Sequence, residues 1–238
     1  MPDTRTHRGA HPDDAKLFAE ERIADLRSAV DDFSLLLTKG YADKSALKLV
    51  GDRFELTQRQ RLAVSRNSCS DQQLKSRKKS SVAQIELYDR TLAIDGYNIL
   101  ITIEAAIGKG LIFIGRDRVC RDLASIHGTY KKVEETVPAV ELIGGFIEET
   151  GVSKVEWLLD SPVSNSGRLK TLLEDIAGSH GWPWEVRLAK NPDNELIESQ
   201  NVVATSDSVV LNQCARWVNL ARDIIELKMR GAIVIDLS

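Results

Sequence analysis

Thr91-Leu92-Ala93-Ile94-Asp95-Gly96-Tyr97-Asn98 is the stretch whose reading decides the fold. A short apolar run that delivers an aspartate, a glycine and an asparagine in succession reads as a buried parallel strand ending at Asp95 and turning at once into a helix. Open α/β sheets gather ligands and reacting groups at such strand ends. Working outward, the same grammar recurs. The apolar run 155–159 stops at Asp160, and the run 202–204 leads through Thr205-Ser206 to Asp207-Ser208. Further strands are expected over 111–114, 184–188 and 232–236, with helices over 98–107, 133–150 and 166–178. Val119, Leu123 and Ile126 suggest another helix ending near Gly128. A long helix is expected from 208, carrying Val210, Leu211, Cys214, Trp217, Leu220, Ile224 and Leu227. Alternating strand and helix specifies the α/β class, a Rossmann-like parallel sheet flanked by helices.

Upstream the pattern differs. Residues 1–14 are polar, contain Pro2 and Pro12, and read as a mobile tail. Phe18, Ile23, Leu26, Val30, Phe33, Leu36 and Leu37 then recur at three- and four-residue steps, the stripe of an amphipathic helix. Ala46, Leu47 and Val50 mark a shorter helix, and Thr57 with Gln60 forms a capping box that opens a third. A small all-α domain over 15–74 is thus expected before the α/β domain over 82–238. Lys75-Ser76-Arg77-Lys78-Lys79-Ser80-Ser81 reads as the linker between them.

Composition bounds the function. At 42% hydrophobic and 28% charged, the 238 residues suit a soluble globular protein. No run reaches the roughly 20 apolar residues of a bilayer span, and the N-terminus lacks the apolar centre of a signal peptide, so a cytoplasmic location away from membranes is expected. Cys69, Cys120 and Cys214 are too scattered for a disulfide framework or a zinc site. His7, His11, His127 and His180 are equally dispersed and read as surface or core residues, with His127 the one that the chain could bring near the strand ends. Walker, Gly-x-Gly-x-x-Gly and Gly-x-Ser-x-Gly motifs are absent. Residues 1–81 hold 16 Lys+Arg against 12 Asp+Glu, a net +4, and residues 82–238 hold 16 against 23, a net −7. The basic side chains Arg59, Arg61, Arg66, Lys75, Arg77, Lys78 and Lys79 form a candidate nucleic-acid patch, without interleaved aromatics for base stacking.

Each strand-end aspartate taken alone also reads as a helix cap. Together, Asp95, Asp160 and Asp207 would repel one another unless protons or a cation intervene, and Mg²⁺ or Mn²⁺ suits oxygen ligands. Such a centre performs phosphoryl chemistry by polarising a phosphodiester and activating water. Glu104, two helical turns beyond Asp95, is a further candidate ligand. Ser164, Asn165, Ser166 and Arg168, opening a helix after Asp160, are candidates to hold a substrate phosphate, with Arg116 a weaker one.

Asp95-Gly96-Tyr97-Asn98, Asp160 and Thr205-Ser206-Asp207-Ser208 resemble the acidic motifs of PIN-like nuclease domains of the NYN branch. The chain as a whole, from about residue 20 onward, resembles a prokaryotic family that joins a helical N-terminal domain to a PIN-like domain. Segments 40–47, 56–62, 94–98, 115–117, 164–168 and 204–208 carry that likeness. The resemblance implies a metal-dependent ribonuclease with Asp95, Asp160 and Asp207 in its acidic site, Asn98 and Ser206 positioning them, and RNA as partner. Ser208 departs from the pattern, since many NYN domains place a second acid there; Asp117, Asp122 or Glu104 are the alternatives for that oxygen. Two other functions fit the same residues: a catalytically silent RNA-binding or protein-interaction module, and a small-molecule metal-dependent phosphatase. A homo-oligomer is compatible with either.

Overall fold

The computed structural model describes residues 6–124 and 128–238. The first part is helical: α1 (Asp14–Leu17), α2 (Glu20–Thr38), α3 (Asp43–Arg53), α4 (Gln58–Asn67) and α5 (Asp71–Ser80). The capping box at Thr57 forms as expected, and Ser70 with Gln73 makes a second at the start of α5. After these come β1 (Thr91–Asp95), α6 (Gly96–Ile107), β2 (Leu111–Ile114), β3 (Cys120–Asp122), α7 (Thr136–Glu149) and β4 (Lys154–Asp160). The remaining elements are α8 (Ser166–His180), β5 (Trp184–Ala189), α9 (Pro192–Glu198), β6 (Val202–Ala204), α10 (Ser208–Gln213), β7 (Trp217–Val218), α11 (Leu220–Lys228) and β8 (Ile233–Asp236).

The fold is α/β, with an all-helical N-terminal region. Its main sheet is parallel throughout, in the order β5-β4-β1-β6-β7, and helices flank it. From β1 the chain reaches β4 and β5 on one side, then returns to β6 and β7 on the other, so the topological switch lies at β1. Leu92 and Ile94 are fully buried, as a central parallel strand requires. Gly96 lets α6 start directly beneath β4, because a Cβ there would lie 2.8 Å from the Leu158 carbonyl oxygen.

Several expectations are corrected. The 111–114 and 232–236 runs do not join the main sheet; β2 and β8 pair in parallel, and β3 adds antiparallel to β2. The helix expected through Val119 and Leu123 is therefore a turn and a strand, and its end at Ile126 and His127 lies outside the described residues. Arg118, with φ of 66°, makes the reversal, and Asp117 Oδ1 accepts from Val119 N to fix it. The single long helix after 208 is interrupted: Trp217 and Val218 form a strand that pairs with β6, because an indole and a branched side chain satisfy the sheet edge as readily as a helix stripe. The 75–81 linker is instead the end of α5 followed by one residue, Ser81, that bridges to Trp217. Trp217 Nε1 donates to the Arg77 carbonyl at 2.9 Å, and Val82 N donates to the Trp217 carbonyl at 2.8 Å.

The described part of the expected tail is also anchored. Arg8 is buried; its Nε donates to Glu104 at 2.9 Å and its Nη2 to the Lys131 carbonyl at 3.0 Å. Asp14 is held by two bonds from Arg59, at 2.5 and 2.9 Å. Among the described residues, no helix is long and apolar enough to cross a membrane.

The apolar core of the helices is not closed by helices alone. Leu26, Val30, Phe33, Val50 and Val64 pack in one cluster with Phe113 of β2, Leu123 and Leu237, and the Phe18 and Phe113 rings meet edge-on at 5.0 Å. Phe113→Ala would therefore loosen both halves, at a cost of about 3–5 kcal/mol. All four tryptophans lie beyond residue 150, so fluorescence reports the α/β part, whereas far-UV circular dichroism reports helices throughout. The two signals should unfold together in urea, in the parent and in Phe113→Ala; separated transitions would contradict the shared core.

Candidate functional site

Four aspartates stand at the C-terminal edge of the main sheet, one near the end of each of four strands. Asp95 ends β1, Asp160 ends β4, Asp193 lies in the first turn of α9 just after β5, and Asp207 caps α10 just after β6. Asp193 is the member that the sequence reading missed. Its signal was the Asn191-Pro192-Asp193 helix start, with Asn191 accepting from Asn194 N as the cap, but no apolar residue runs directly into it.

Asp95 is the centre of a hydrogen-bonded chain. It is 4% exposed, and its Oδ2 accepts from Asn98 Nδ2 at 2.7 Å and from Thr205 Oγ1 at 2.6 Å. Ser206 Oγ lies 3.4 Å from Asn98 Oδ1, so Asn98 and Ser206 are brought together as expected, and Thr205 joins them. Thr205 Oγ1 also accepts from Asp207 N at 3.0 Å, tying the two acids through one hydroxyl. Asp207 Oδ1 accepts from Val209 N and Val210 N, so this aspartate is a helix cap as well as a member of the edge.

Burial pushes the Asp95 carboxyl up to about 7; the bonds from Thr205 and Asn98 oppose this, and the charges of Asp207 and Asp193 reinforce it. Burial also raises Asp160, and it raises Asp193 together with the fields of Asp207 and Asp160. Among the described residues none of the four makes an ion pair with Lys, Arg or His. Beside them stands an orphan: the Tyr97 hydroxyl is buried without a hydrogen-bond partner among the described residues, and its proton is held tightly by burial and then by the nearby Asp160 charge.

The donor set limits what ion could sit here. Among the described residues, no three carboxylate, imidazole or thiolate groups stand close enough together to chelate one ion. A caged, dehydrated metal does not fit. A Mg²⁺ or Mn²⁺ ion that keeps several waters and takes one or two carboxylates does, because the uncompensated negative field supplies the attraction.

A buried ion triad fixes the loop that carries Asp207. Asp117 accepts from Arg121 Nη1 at 2.9 Å and Nη2 at 2.7 Å, and also from Arg77 Nη1 of α5. Arg121 Nε then donates to the Ser206 carbonyl at 2.9 Å, and Arg77 Nη2 to the Ser208 carbonyl at 3.2 Å. Burial alone would raise Asp117; Arg121 and then Arg77 overcome it and hold the carboxyl at about 2.

Several expected site residues are committed elsewhere. Glu104 is fully buried away from the acid edge, where it accepts from Arg8, Tyr130 and Thr136. Arg116 donates to the Cys69 carbonyl and to Asp71, Asp117 is held by Arg77 and Arg121, and Asp122 accepts from Thr102 while lining the cleft that also holds Asn98 and Asp207. The 164–168 loop does not form a phosphate cradle: Ser166 N donates to the Val163 carbonyl, Ser164 bonds Gly128 and Tyr130 through its backbone, and Asn165 Nδ2 holds the Tyr130 carbonyl. Asn165 and Arg168 together line a cavity of about 490 Å³ with Lys132. The basic patch is also dispersed. Arg59 pairs with Asp14, Arg61 with Asp52 and Arg77 with Asp117, which leaves Lys75, Lys78 and Lys79 exposed on α5 and Arg66 facing the site.

The raised Asp95 carboxyl has a sign that can be measured. Folded Asp95 keeps a proton that the unfolded chain releases near pH 4, so its contribution to stability is complete below pH 4 and is lost as pH rises to about 7. The thermal midpoint of Asp95→Asn should therefore fall less than the parent's between pH 5 and pH 8. Added Mg²⁺ should raise the parent midpoint more at pH 8 than at pH 5. Equal slopes for parent and variant would refute the buried-acid assignment.

Residues 84–223 match the family described as "Domain of unknown function (DUF5616)", and residues 25–79 match the one described as "Protein of unknown function (DUF434)". A protein of Methanocaldococcus jannaschii, named as uncharacterized, is 32% identical over 186 residues, which span 78% of this chain and 88% of the relative. No solved structure matches the chain. With more than half of its length in that match, the chain belongs to the DUF5616 family, and it carries a DUF434 segment ahead of it.

Proposed function

We propose that the protein is a divalent-cation-dependent phosphodiester hydrolase of the PIN-like, NYN type, acting on RNA in the cytoplasm. One observation carries the reading: four aspartates from four strand ends share one edge at the topological switch, and none of the four makes an ion pair with a basic side chain among the described residues. Asp95 and Asp207, linked through Thr205, are the carboxylates that would hold hydrated Mg²⁺ or Mn²⁺. The ion, when bound, supplies Lewis-acid polarisation of a phosphoryl oxygen. Asn98 fixes the Asp95 carboxylate so that the Asp95 orientation does not depend on the ion. In this reading Asp160, whose carboxyl is raised by burial, takes a proton from the attacking water, and Asp193 adds to the field that attracts the cation.

The continuation of the cleft beside Asp207 favours a polymer over a small phosphate ester. A cleft of about 150 Å³ beside Asn98 and Asp207 is continued by a trough of about 340 Å³ against α2 and α3, with Arg66 and Ser208 lining both. The three cysteines are buried and unpaired, which suits a reducing compartment.

Cleavage of a panel of labelled RNAs by the parent with Mg²⁺ or Mn²⁺ is the direct test. Asp95→Asn and Asp160→Asn should each lose at least about a hundredfold in rate while retaining RNA affinity, as expected for groups that act on the transition state. A parent that binds the panel but cuts none of it would leave a silent RNA-binding module. Cleavage confined to small phosphate esters would replace the reading with a phosphatase.

A further inference from the structure

Arg66 differs from the arginines that are tied closely to a carboxylate. It closes the last turn of α4, in the helical part of the chain, yet it lines the cleft that holds Asn98, Ser206 and Asp207. Arg8, Arg59, Arg61, Arg77, Arg116 and Arg121 each have a carboxylate oxygen within 2.9 Å. Arg66 is fixed by neutral groups: Nη1 donates to the Asp122 carbonyl at 2.7 Å and to the Ala124 carbonyl at 3.3 Å. Its closest carboxylate, that of Asp122, stands 3.8 Å away. The Asp122 side chain already accepts from Thr102 Oγ1 at 2.8 Å and from Ala124 N at 2.6 Å.

Two consequences follow from that arrangement. The guanidinium is aimed and immobilised on one edge, while Nε and Nη2 have no partner among the described residues. Its charge is also less cancelled than that of the paired arginines, at the mouth of a cleft whose other wall is acidic. A guanidinium with an open edge matches two oxygens of a phosphate group. The cleft and the adjoining trough both reach Arg66, so a ligand lying in both would pass it.

We propose that Arg66 is the residue by which the helical part grips the substrate: it binds one backbone phosphate of a single-stranded polynucleotide whose neighbouring linkage lies at the aspartate edge. The assignment rests on the hydrolase reading for the linkage that is cut, but the grip itself is a matter of affinity. The remaining charge of α5, on Lys75, Lys78 and Lys79, then serves non-specific attraction at longer range.

The test measures binding of a short, labelled single-stranded RNA to the full chain by fluorescence anisotropy, with EDTA present so that no cutting intervenes. Arg66→Gln keeps a donor for the Asp122 carbonyl and removes the charge; Arg66→Lys keeps the charge and removes the planar fork. Arg66→Gln should weaken binding about tenfold and reduce the slope of log affinity against log salt by about one. Arg66→Lys should keep the parent slope and recover part of the affinity. Unchanged affinity in Arg66→Gln overturns the grip, as does a fall matched by loss of the thermal midpoint in both variants, which marks a structural role. A parent that binds RNA through Arg66 but never cuts it removes the hydrolase reading and leaves the grip intact. A parent that does not bind the RNA at all overturns the grip as well.

Discussion

The contact between Asp117 and its two arginines is what the arrangement of the site depends on. Arg77 comes from the helical part and Arg121 from the small sheet, and both continue past Asp117 to carbonyls of the 206–208 loop. Three buried charges are costly to desolvate, and the cost is met only because nearly every donor finds an acceptor. The arrangement converts a flexible loop between β6 and α10 into a fixed shelf for Asp207. It also makes the helical region part of the site rather than an attachment to it.

The aspartate edge lives on the opposite electrostatic principle. Around Asp117 the positive groups exceed the negative one, while a short distance away Asp95, Asp160, Asp193 and Asp207 make no ion pair among the described residues. Asp95 tolerates burial because two hydrogen bonds favour its ionised form, though not enough to keep it ionised below neutrality. Such a region is poised to exchange protons for a divalent ion, since either relieves the same repulsion.

Much of this was legible in the sequence. Strand-end aspartates at 95, 160 and 207 stood out because an apolar run points at each, and Asn98 and Ser206 were marked by the resemblance to NYN-type acidic motifs. Asp193 did not, since its strand carries exposed charged residues at Glu185 and Arg187 and is followed by the polar Lys190 and Asn191. The arginine clusters misled for a physical reason. Sequence reveals the charge of Arg59, Arg61 and Arg77 but not that Asp14, Asp52 and Asp117 lie opposite them, and burial of a guanidinium has no local signature. The separation of β2 and β8 from the main sheet was hidden because pairing partners are a property of the whole topology.

The placement of Phe113, Leu123 and Leu237 in the core of the helices bears on the time course of folding. Helices α2 to α4 could assemble from contacts close in sequence, and quickly. Their apolar interior is nonetheless completed by a strand residue some fifty positions past α4 and by another beyond β8, so closure must wait for contacts between distant segments. Until then the helices expose an apolar face, and the pairing of β8 beside β2 is one of the long-range contacts that a finished site requires.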